Sequence, residues 1–181
     1  MGDITELLHA AKAGKAGSLD AVFASVYPRL RELAASRLGA QPGERTLSAT
    51  ALVHEAYLKL VDAERLDLVD RHHFFACAAR AMRQILVDRA RSRGAIKRGG
   101  PLEPLTLSHA DELALAEPEL LDVDAALDRL DAIDPALREL VELRIFAGLT
   151  LEQIAESSAC SMRTVSRNWL RARALLLAQL A

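Results

Sequence analysis

Apolar positions recur at helical spacing over residues 4–13 and again over 19–38, where the pattern ends at Gly39 and the breaker run Gln41-Pro42-Gly43. A third amphipathic stretch covers 48–61. After a polar connection at 63–71, a long one covers 72–93 and stops at Gly94 or at Gly99-Gly100-Pro101. These stretches predict enough helices for one small core. Residues 99–118 then hold Gly99, Gly100, Pro101, Pro104 and Pro118, too many breakers for a long helix, so a linker is expected there. Beyond it the pattern predicts a helix over 119–132, a break at Asp134-Pro135 and a helix running to about residue 147. A turn at Gly148 and two further helices over 150–157 and 162–180 complete the chain. The expected organisation is a module over 1–98, a linker over 99–118 and a second module over 119–181.

Composition agrees. Residues are 51% hydrophobic but only 4% aromatic, with Ala and Leu recurring throughout, which favours helix over sheet and predicts an all-α protein. No uncharged apolar run reaches membrane-spanning length, and the opening MGDITELLHAAKAGK reads as an amphipathic helix rather than a secretion signal. A cytoplasmic protein without membrane association is expected. Cys77 and Cys160 sit far apart in helical patterns, which suits reduced thiols better than a disulfide framework.

The formal net charge of -2 conceals strong segregation. Over residues 80–98 stand Arg80, Arg83, Arg89, Arg91, Arg93, Lys97 and Arg98 against the single acid Asp88. From 160 onward the only charges are Arg163, Arg167, Arg171 and Arg173. Between them, residues 103–142 carry twelve acids and two bases, Arg129 and Arg138. Because this acidic segment offsets both basic patches, the isolated chain is expected to bind duplex DNA weakly.

The second basic patch lies in a recognisable motif. Leu151-Glu152-Gln153-Ile154-Ala155, then Ala159-Cys160-Ser161, then Met162 to Trp169 has the spacing of a helix-turn-helix. Ile154 and Ala155 form the contact face of its first helix, and Met162, Val165 and Trp169 the expected buried stripe of its second. Thr150 with Gln153, and Ser161, are placed to cap the two helices. At 100° per residue, Arg163, Arg167 and Arg171 fall opposite Val165 and Trp169, with Thr164 and Asn168 beside them. Arginine neutralises phosphate or binds guanine, and asparagine pairs with adenine. Ala159 stands in the turn where glycine is usual, so its φ is either negative or strained.

In the first basic patch, Phe75, Ala78, Met82, Ile85 and Leu86 share one helical face, and Arg80, Arg83, Gln84, Asp88 and Arg91 the other. A basic helix is commonly only a solvated face, but with a helix-turn-helix downstream it reads as a second contact to the same nucleic acid.

Taken with Ala51-Leu52-Val53-His54-Glu55-Ala56-Tyr57-Leu58-Lys59-Leu60 and the Lys97-Arg98-Gly99-Gly100 tail, these elements resemble an extracytoplasmic-function (ECF) sigma factor. The resemblance implies two small helical domains joined by a linker, the C-terminal one a helix-turn-helix. It also implies core RNA polymerase and promoter DNA as partners, no cofactor or metal, and control by an anti-sigma factor or a kinase. The first domain would melt the minus-ten element and bind the polymerase clamp helices, and the second would read the minus-thirty-five element. By position, Leu52, Val53, Glu55 and Tyr57 would face the clamp helices, residues 63–71 would capture a flipped base, and Arg80, Arg83 and Arg91 would lie on the minus-ten helix. Arg163, Thr164, Arg167, Asn168 and Arg171 would meet the minus-thirty-five duplex.

The chain departs from the family at one place: Ser48-Ala49-Thr50-Ala51 stands where adjacent acids usually precede the Leu-Val pair. A phosphate on Thr50, added by a Ser/Thr kinase, would restore that charge; the plain alternative is that Thr50 or Ser48 caps the helix. The rival to the whole reading is a helix-turn-helix repressor or response-regulator output protein, binding palindromic duplex as a homodimer without polymerase. No phosphate-binding loop, nucleophile elbow or paired-carboxylate motif points to an enzyme.

Overall fold

Proline, glycine and short polar caps set where the helices begin and end. The computed structural model describes residues 4–38, 49–62, 70–94 and 117–180. Among these, every regular element is a helix: α1 Ile4–Lys12, α2 Ser18–Leu38, α3 Ala49–Asp62, α4 Arg71–Gly94, α5 Glu117–Ile133, α6 Pro135–Ile145, α7 Leu151–Ser157 and α8 Met162–Leu180. At the break between α5 and α6, Asp134 is extended and accepts a hydrogen bond from the Ala136 amide at 3.1 Å. Pro135 occupies the first turn of α6, where its missing N–H costs nothing. No helix among the described residues is long and apolar enough to cross a membrane.

Antiparallel packing of α2, α3 and α4, with α1 laid across α2, builds the first half. Leu30, Leu52, Phe74 and Met82 are fully buried there. In the second half α5, α6 and α8 pack around Leu127, Leu130, Leu137 and Phe146. Each such side chain contributes roughly 1.5–3 kcal/mol on leaving water. The expected linker corresponds to the gap between Gly94 and Glu117, of which 95–116 lie outside the described residues. Helices on its two sides nonetheless share an interface, because α4 packs on α5 and α6 as well as on α3, and the buried apolar residues form one connected cluster.

This explains why α4 is buried nearly all round. Every residue from Phe74 to Ala79 is buried, and the small side chains of Ala76, Ala78 and Ala79 let neighbours approach on several sides. The apolar face and polar edge read from its periodicity both exist, but the polar edge meets protein rather than open water.

Candidate nucleic-acid interface

The helix-turn-helix is assembled by local chemistry. Thr150 Oγ1 accepts from the Gln153 amide at 3.2 Å, and Gln153 Oε1 accepts from the Thr150 amide at 3.0 Å, a complete capping box at the start of α7. Its end is a left-handed cap: Ala159 has φ 53°, and the Cys160 amide donates to the Ala155 carbonyl at 3.1 Å. The strained alternative for Ala159 is therefore the one adopted. Ser161 then caps α8, its Oγ accepting from the Thr164 amide at 3.1 Å.

Along α8 the buried stripe is Val165, Ala172 and Leu176, with Trp169 partly buried beside it. Met162, expected in that stripe, is exposed instead, because it opens the first turn and projects past the edge of α6 and α7. Arg163 and Arg167 are exposed on the opposite face, with Thr164 and Asn168 half-buried between. Arg171 continues the stripe, but its Nη1 lies 3.4 Å from Asp134 Oδ2. The face is thus a row of guanidinium groups of which the first two project into solvent on a well-anchored helix.

The α4 edge is different. Arg83 is buried, and its guanidinium pairs with Asp124 of α5 through Nη1 and sits 3.1 Å from Glu142 Oε1 of α6 through Nε. Arg91 Nη2 reaches the other oxygen of Asp124 at 3.0 Å. Arg80 lies 3.4 Å from both Glu139 and Glu142. Glu142 is wholly buried and is also held by Arg138 Nε at 3.1 Å. So all three arginines assigned to the minus-ten helix are ion-paired to carboxylates from the acidic segment. Arg80 and Arg91 remain more than half exposed, while the side chain of Arg83 keeps only 11% of its surface.

Further contacts close the same seam. Arg29 Nη2 of α2 donates to the Gly148 carbonyl at 2.6 Å and also to Gln153 Oε1. Gly148 has φ 65°, and a Cβ placed there would stand 3.0 Å from a methyl of Leu33, so the turn before α7 needs glycine both for conformation and for space. At the start of α4, His72 Nε2 lies 2.9 Å from Glu139 Oε1 and Nδ1 lies 3.1 Å from Ser157 Oγ. The bond to Glu139 raises the imidazole above the usual histidine range against an opposing effect of burial. The same bond lowers the Glu139 carboxyl, so the pair is held as imidazolium and carboxylate.

On α3, Leu52 and Val53 are fully buried. They fix the helix rather than present a surface. Glu55 is partly exposed and accepts from Arg89 at 2.7 Å, and the Tyr57 hydroxyl donates to Asp20 of α2, which raises the phenol. Thr50, His54 and Leu58 form the solvent side of α3, and its first turn contains no acid. Cys77 is buried, which pushes its thiol up, and Cys160 is exposed; both are free. No group of three or more His, Cys, Asp or Glu among the described residues is placed to hold a metal ion. The expected base-capture loop falls mostly on 63–69, and Lys97 and Arg98 on 95–116, both outside the described residues.

Sequence reading found the two basic faces but missed the partners of one of them. Asp124, Glu139 and Glu142 were visible only as members of an acidic stretch. The available signal was that this stretch follows a basic helix of matching charge, and that Glu139 and Glu142 lie one turn apart facing the apolar side of α6.

Against known proteins, the family model described as ECF sigma factor matches residues 1–181. No curated protein and no solved structure gave a match.

Proposed function

Because the chain belongs to the ECF sigma factor family, and so acts in transcription initiation with core RNA polymerase and promoter DNA, we propose specific residues for each contact. The observation that carries the proposal is the exposed Arg163 and Arg167 pair on a helix doubly fixed by the Ser161 cap and the Val165, Ala172 and Leu176 stripe. α8 enters the major groove of the minus-thirty-five element, with Arg163, Arg167 and Arg171 on phosphate or guanine and Thr164 and Asn168 on base edges. Arg80, Arg83 and Arg91 serve the minus-ten region once they are free of their carboxylate partners. Polymerase docks on the outer side of α3 through Glu55, Tyr57 and the exposed residues beside them, while Leu52 and Val53 hold that helix in register.

Thr50 is exposed in the first turn of α3, where no acid stands. A phosphate there adds about -1.5 to -2 charges at the positive end of the helix dipole, and in our reading supplies the anionic contact that polymerase requires. Thr50→Glu should then raise affinity for core polymerase, and Thr50→Ala should remove activation in cells. Thr50→Ala with full activity would leave the contact to Glu55 and its apolar neighbours.

Association separates this function from a repressor. The purified chain should co-elute with core polymerase and shift promoter duplex only in its presence; tight duplex binding by a homodimer without polymerase would favour the repressor.

A further inference from the structure

We draw no further inference here: the strongest candidate, the ion-paired seam between the arginine edge of α4 and the acidic faces of α5 and α6, belongs to the site already described.

Discussion

The basic edge of α4 and the basic stripe of α8 look alike in sequence, each an arginine every three to eight residues along an amphipathic helix. In the folded chain they differ. Arg163 and Arg167 project from a helix whose opposite face is packed, whereas Arg80, Arg83 and Arg91 meet Asp124, Glu139 and Glu142. Periodicity reports the polarity of a helix face; it does not report what lies against that face. A cationic row thus becomes an exposed nucleic-acid surface in one half of the protein and a structural seam in the other, through partners remote in sequence.

The sharpest way to break this comparison is at Glu142. Glu142→Ala leaves Arg83 and Arg138 without their shared buried carboxylate and should cost about 3–5 kcal/mol, read by urea denaturation. A loss below about 1 kcal/mol would reduce the seam to a surface salt bridge. Next, the two arginine pairs should separate in kind. Arg163→Ala with Arg167→Ala should weaken minus-thirty-five binding by the polymerase complex and lower its salt slope by roughly one unit per lost phosphate contact. Arg80→Ala with Arg83→Ala should lower the stability of the free chain and impair strand opening, seen by permanganate footprinting, more than initial binding.

A smaller effect is expected from pH. His72 faces Glu139 on α6 and Ser157 on α7, with Asp70 and Arg80 nearby on its own side. Its raised value means that its contribution is fully present below the ordinary histidine value, about 6.5, and fades as pH climbs through the folded value. Glu139 is lowered, so its contribution is present above the ordinary carboxylate range and fades as pH falls through the folded value. The seam should be tightest between about pH 5 and 6.5, and His72→Gln should flatten that dependence in thermal melts. The smallest effect is at the turn: Ala159→Gly should stabilise by about 1 kcal/mol, because the left-handed φ of 53° costs alanine and not glycine.

Local signals carried most of the fold. The capping residues Thr150, Ser161 and Asp134 and the breakers Pro135 and Gly148 set helix ends within one or two residues of expectation, because each acts on its own turn of backbone. The helix-turn-helix was legible for the same reason, down to the strained Ala159. What was not legible depends on packing between distant segments. Leu52 and Val53 match the polymerase-facing positions of the family, yet lie in the core, since nothing in a single helix says which apolar residues α2 and α4 will cover. Met162 fits the buried stripe by angle but is exposed at the free first turn. The three arginines of α4 were assigned from charge alone, and charge gives the sign of the partner without saying whether it is phosphate or carboxylate.

Energy transfer between the two halves tests the central claim most directly. Fluorophores on cysteines replacing exposed Ala24 of α2 and Ala178 of α8, in a Cys160→Ser background, report the separation across the seam. Transfer should be high in the free chain and fall when core polymerase and promoter DNA are added, in step with the appearance of run-off transcript. High transfer persisting in a complex that makes transcript would show that the halves stay joined while the α4 edge works, and would contradict the account.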